Sequence, residues 1–166
     1  HYLDHLTPAT ANRLYGDALG ALLALQAAGP LTDLPNYDAA FFQRELALFS
    51  EWLLGAWLQY TLTDAQRQQL ADVDQVLIAA ALEQPRVCVH RDYHSRNLMV
   101  TPTNPPGVVD FQDAVIGPVT YDLVSLLRDC YVVWPPAHVD DWAWGYFQLA
   151  VQSGEVQPPH EASWQR

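Results

Sequence analysis

Apolar residues recur at helical spacing through most of this chain and crowd into short unbroken runs only in its middle. Leu14, Ala18, Leu22 and Leu25 share one face of a first predicted helix, capped by Thr7, opened by Pro8 and stopped by Gly29-Pro30. A second predicted helix starts near Asp38 and carries Phe41, Phe42, Leu46, Phe49, Leu53 and Trp57 at the same spacing, with Gly55 weakening it near its end. Thr63 and Gln66 have the spacing of a capping box. They open a third helix whose apolar stripe is Leu70, Val73, Val76, Leu77 and Ala80, ended by Gln84-Pro85. Thr120 caps a fourth, with Leu123, Leu126, Leu127 and Tyr131 on its apolar face, and Pro135-Pro136 breaks it. A fifth runs from about His138 to Ser153, closes at Gly154, and buries Trp142, Tyr146, Leu149 and Ala150. Residues 155–166 read as a connector.

The middle of the chain follows another rule. Residues 87–90, 97–100 and 107–110 are apolar runs too short for anything but a small sheet or hairpin. The turn-forming stretch from Thr101 to Gly107 joins the last two, and Phe111 to Val119, which has no period and contains Gly117-Pro118, reads as a loop. The expected fold is therefore α+β and mostly helical, with a small β insert.

Composition narrows the class. A chain of 166 residues, half of them apolar, fits one domain and can bury about two-thirds of its unfolded surface. No run reaches the ~20 apolar residues of a membrane span, no signal peptide is evident, and Cys88 and Cys130 have no metal or disulfide spacing. A cytoplasmic location is the expectation. A net charge of −11 without a basic stripe argues against nucleic acid and anionic membranes as partners. All eight basic residues are arginine. The chain begins at His1 and stops at Arg166 without a closing element, so it is expected to be a piece of a larger protein.

The β insert holds the chemistry. His90, Asp92 and Asn97 are set as H-R-D-x-x-x-x-N between two apolar runs, and Asp110 ends the next run. Phosphoryl transfer needs a carboxylate to orient the attacking hydroxyl and take its proton, and a few oxygen ligands for Mg²⁺. Asp92, Asn97 and Asp110, at three strand ends, supply that set; the plainer alternative is loop capping by Asp and Asn. His90, Asp92 and His94 could instead form part of a zinc site, although no partner motif supplies the remaining ligands. His90, after three apolar residues, reads as a buried orienting histidine, and Arg91 either as a surface ion-pair partner or as part of the site. Asp122 is a helix N-terminal acid or a brace behind the loop. Trp134, Trp142 and Trp144 could stack on a sugar or serve as core. Glu45 and Glu51 read as solvated surface acids.

The stretch His90 to Asn97, with Val109-Asp110-Phe111, Gly117-Pro118 and Tyr121-Asp122-Leu123, resembles the aminoglycoside-phosphotransferase branch of the protein-kinase-like fold. The resemblance implies that Asp92 is the catalytic base, Asn97 and Asp110 the Mg²⁺ and cofactor-binding residues, and His94 a neighbour of the transferred phosphate. It implies that Asp122 buttresses the loop, beside the structural role already read for His90. Leu34 to Asp38, Arg44 to Phe49 and Ser125 to Tyr131 are similar, within that branch, to bacterial anomeric kinases of cell-wall amino sugars. Arg128 and Asp129 then become candidates to read the acceptor's N-acetyl or lactyl group. Asp110-Phe111-Gln112 lacks the glycine of D-F-G, and with no lysine for a triphosphate the nucleotide lobe is absent. Residues 1–166 are thus expected to be the larger, C-terminal catalytic lobe, with the N-terminal lobe of the same protein as its partner.

The expected function is ATP-dependent, Mg²⁺-dependent phosphorylation of a small-molecule acceptor, an amino sugar at its anomeric hydroxyl in peptidoglycan recycling, with the isolated lobe inactive. The alternatives are an aminoglycoside, choline or amino-alcohol acceptor, which an acidic chain would suit, and a non-catalytic binding protein that kept the motif.

Overall fold

A computed structural model of the protein describes residues 1–154, so the expected connector at 155–166 lies outside the described residues. A 3₁₀ turn, Tyr2–His5, leads to α1 (Ala11–Ala28), α2 (Ala39–Leu48), a π-helical stretch (Phe49–Trp57) and α3 (Asp64–Leu82). Then come β1 (Arg86–Val89), β2 (Leu98–Met99), β3 (Gly107–Val108), β4 (Val115–Pro118), α4 (Tyr121–Leu127) and α5 (Pro136–Gln152). The α+β, mainly helical class is as expected.

The core forms where α1 packs against β1, α4 and α5. Leu14, Ala18 and Leu22 are fully buried, as the helical spacing predicts, and each such leucine is worth about 1.5–3 kcal/mol of removed apolar surface. Trp142 of α5 stacks on Tyr15 with ring centroids 4.2 Å apart, and Trp134 meets Tyr15 edge-on while its indole N–H donates to the Tyr15 hydroxyl at 2.9 Å. Trp134 and Trp142 therefore belong to the packing of the body, not to a stacking platform. Buried Gln26 donates from Nε2 to the carbonyl of Val119 at 3.0 Å and accepts from the Tyr146 hydroxyl, which ties α1 to the start of α4 and to α5.

Helix starts follow local chemistry. Asp38 accepts the amide of Phe41 at 2.9 Å. Thr63 and Gln66 form the reciprocal capping box, with Thr63 N donating to Gln66 Oε1 at 3.0 Å. Thr7 does not cap α1; it forms a hydroxyl-bonded turn with Thr10, and the helix begins one turn later than predicted.

Three patterns resolve differently from expectation. The second helix passes into a π-helical stretch at Phe49, and neither α2 nor that stretch buries any residue fully. Phe49, Leu53 and Trp57, which share the apolar spacing of the predicted helix, are exposed, Trp57 by 80%. On α3 the buried positions are Asp74 and Ile78, whereas the predicted stripe residues Val73, Val76 and Leu77 face outward. Helical spacing marks which residues share a face, not which face is covered. Leu149 on α5 is likewise exposed, with Val139 and Phe147 buried in its stead.

The strands form two antiparallel pairs, β1 with β4 and β2 with β3. The predicted loop 111–119 thus contains a strand. In β4, Gly117 faces Val87, and a Cβ there would lie 3.2 Å from Tyr37 Cβ and 3.3 Å from Val89 Cγ2. The glycine that suggested a loop marks a close approach within a sheet. Gly29 is similar: a Cβ would lie 2.4 Å from Cys88 Cβ, so the end of α1 rests directly on β1.

Candidate active site

β1 runs into the core and delivers His90, 2% exposed, at its end. The next two peptides are fixed from behind. Asp122, in the first turn of α4 and wholly buried, accepts the amide of His90 at 2.7 Å on Oδ2 and that of Arg91 at 3.0 Å on Oδ1. Burial pushes the Asp122 carboxyl up to about 6, against the two amides, which favour its charged form. Arg91 is held at φ +77°, a left-handed conformation that costs a non-glycine residue on the order of 1 kcal/mol or more.

The loop then folds onto itself. The amide of Asp92 donates to His90 Nδ1 at 3.3 Å, so the imidazole accepts there and its proton resides on Nε2. Desolvation lowers the His90 pKa and keeps the ring neutral. Tyr93 is buried and donates to the carbonyl of Ala18 at 2.8 Å, anchoring the loop to α1. Ser95 N donates to Asp129 Oδ2 at 2.9 Å, and Tyr131 N donates to Asp129 Oδ1 at 2.7 Å. Asn97 closes the turn, its Nδ2 donating to the carbonyl of Asp92 at 3.0 Å, which leaves Oδ1 as the remaining polar atom of its amide.

The β2–β3 hairpin carries the second half of the site. Leu98 faces Val108, and Val109 N donates to the carbonyl of Asn97 at 3.1 Å, so Asp110 emerges one residue past the point where the hairpin meets the loop. Asp110 is exposed and left-handed, at φ +66°. The result is a cleft of about 490 Å³ lined by Asp92, His94, Arg96, Asn97, Asp110 and Tyr131, with His1, Leu3 and Asp4 on its far side.

The predicted residues thus divide. Asp92, His94, Asn97 and Asp110 converge on the cleft, while His90 and Asp122 stand behind it. Arg128 and Asp129 do not line it. Arg128 is exposed at the end of α4, and Asp129 is turned inward, 6% exposed, with both oxygens on backbone amides. Asp129 is a second brace, and sequence reading, which paired it with the acceptor, missed that. Tyr131, expected on the buried face of α4, lies past its end and lines the cleft.

Arg96 was also missed. It stands with its guanidinium 4.9 Å above the Tyr131 ring and is the cleft's one arginine. The signal was available: a cation directly before the asparagine of the motif, in a chain without lysine. Glu45, expected on a solvated face, is half-buried and paired with Arg91 at 2.7 Å.

The donor set suits Mg²⁺. An amide oxygen and a carboxylate in one open cleft are too few to enclose the ion and leave coordination sites for phosphate oxygens. No three His, Cys, Asp or Glu among the described residues are grouped to hold a metal, so the zinc alternative gains no ligand set.

Comparison with known proteins places the chain among phosphotransferases. An N-acetylmuramate/N-acetylglucosamine kinase of Pseudomonas putida is 47% identical over 167 aligned positions, covering 98% of this chain and 49% of that protein. Proteins of the same name from Pseudomonas aeruginosa and Neisseria meningitidis serogroup B are each 44% identical, covering 95% and 86% of this chain and 46% and 42% of theirs. The chain spans about half the length of the curated relatives it matches. The resemblance drawn from His90 to Asp122 and from the flanking helices is borne out at both levels. Residues 1–153 match the model of the phosphotransferase enzyme family, and the chain belongs to that family.

Proposed function

We propose that these residues are the C-terminal, catalytic lobe of an ATP-dependent kinase that transfers the γ-phosphate to the anomeric hydroxyl of a cell-wall amino sugar in the cytoplasm. The observation that carries this reading is the convergence of Asp92, His94, Asn97 and Asp110 on one cleft, from a loop and a hairpin that hydrogen bonds tie together. The acceptor comes from the names of the relatives, N-acetylmuramate/N-acetylglucosamine kinases, and the lobe assignment from their roughly doubled length.

Asn97 and Asp110 are the residues that would hold Mg²⁺, which when bound offsets charge on the phosphate oxygens. Asp92 orients the acceptor hydroxyl and takes its proton as the oxygen attacks phosphorus. In this reading His94 and Arg96, which line the same cleft, donate to oxygens of the transferred group. The N-terminal lobe of the same protein supplies the rest of the nucleotide site, so the chain alone turns over no ATP.

A second reading keeps the reaction and changes the acceptor. Asp4, Asp92 and Asp110 line the cleft of a chain with net charge −11, a setting that suits a cationic aminoglycoside or choline. The intact protein assayed with N-acetylglucosamine, N-acetylmuramate, kanamycin and choline separates the two. Phosphate on either amino sugar is expected; transfer only to kanamycin or choline would replace the first reading with the second.

A further inference from the structure

Arg91 sits between the buried histidine and the expected base, and its side chain leaves the loop in the direction of α2. There its guanidinium is gripped twice. Glu45 Oε1 accepts from Arg91 at 2.7 Å, and the ring of Phe41, one helical turn earlier, lies 4.8 Å beneath the guanidinium carbon. Both partners of the ion pair are largely withdrawn from solvent, with side chains 24% and 30% exposed. The other carboxylate oxygen of Glu45 accepts from the hydroxyls of Tyr37 and, at 3.4 Å, Tyr121. Tyr121 adjoins Asp122, which holds the amide of Arg91. The circuit is closed: α2 holds the Arg91 side chain, α4 holds its backbone, and Tyr121 joins the two.

We propose that Glu45 is a positioning residue for phosphoryl transfer. It acts through Arg91 to keep the left-handed turn that presents Asp92 to the cleft. A strained non-glycine conformation persists when its surroundings over-determine it, and Arg91 is the residue of the loop on which side-chain and backbone restraints from two helices meet. The arrangement also links the base to the Asn36–Glu45 segment, which is joined to β4 by the hydrogen bond from Tyr37 N to the carbonyl of Ile116 at 2.9 Å. A displacement of α2 reaches Asp92 through one ion pair.

This inference rests on the reading of Asp92 as the base. The test uses the intact protein, with Glu45→Gln, Arg91→Met, their double variant, Arg91→Lys and Asp92→Asn. Each neutral single variant is expected to lower kcat about tenfold and leave KM for ATP within about twofold. The double variant should lose no more than either single, because both remove the same link. Arg91→Lys keeps the charge but not the fork, and should recover part of the loss; it carries the test if a neutral variant does not accumulate. Unchanged kcat in both singles, losses that multiply in the double, or a fall in thermal midpoint with kcat intact would overturn the positioning role. Full activity in Asp92→Asn would instead overturn the reading beneath it.

Discussion

The loop from His90 to Asn97 and the helical arm formed by the π-helical stretch and α3 are held by different means. In the loop, four consecutive residues, His90 to Tyr93, are each fixed by a hydrogen bond with a named partner, and two buried aspartates, Asp122 and Asp129, spend all four oxygens on backbone amides. In the arm, Trp52, Trp57 and Val76 are each at least two-thirds exposed, and the buried side chains of α3 are Asp74 and Ile78. Orientation at the site comes from directional polar contacts, which specify angle as well as distance. Hydrophobic burial is non-directional, and the arm, in which Ile78 is the one buried apolar side chain among the described residues, is fixed with less precision. A small site on short strands therefore depends on buried carboxylates more than on the size of the core beneath it.

Asp92→Asn in the intact protein should break the functional side of this contrast most sharply. General-base assistance is worth on the order of a hundredfold or more, so kcat should fall by that factor while KM for ATP stays nearly constant. With the proposed anomeric hydroxyl as acceptor, more acidic than other sugar hydroxyls, the loss should fall toward the low end. Stopped-assay kinetics at saturating acceptor measure it.

Asp122→Asn tests the brace. The folded carboxyl is raised to about 6 from an ordinary 3.8, so the native state binds more protons than the unfolded chain between those values. The stability Asp122 contributes is then fully present below about pH 4 and is lost as pH rises to about 6. The change is on the order of 2–3 kcal/mol. Unfolding followed across pH 4–7 should show this slope in the wild type and lose it in the variant. The variant also leaves one loop amide without an acceptor, at a cost of about 1–3 kcal/mol.

The arm should show the smallest effect. Trp57, 80% exposed, should lose less than about 0.5 kcal/mol on Trp57→Ala in this chain by denaturant titration. A cost of several kcal/mol would show that the arm is as firmly built as the site.

The same contrast governed how much the sequence disclosed. Asp92, Asn97 and Asp110 were legible as a cluster because each stands at the end of a short apolar run, and the structure brings all three to one cleft; α1 was legible because its stripe is covered. The arm misled because periodicity in Val73, Val76 and Leu77 carries no information on which side is packed. β4 was hidden by Gly117-Pro118, whose small residue serves the approach of Tyr37. Glu45 and Asp129 were missed because a carboxylate paired across 46 and 34 positions leaves no local pattern. Only the fold brings such partners together.

Gly29 has an evolutionary consequence. A Cβ at position 29 would lie 2.4 Å from that of Cys88 and 2.5 Å from the carbonyl oxygen of Leu25, so any larger residue there must displace both the strand and the last turn of its own helix. Descendants of this chain are therefore expected to keep glycine at position 29, a constraint that Trp52 and Val76, exposed in this chain, do not share.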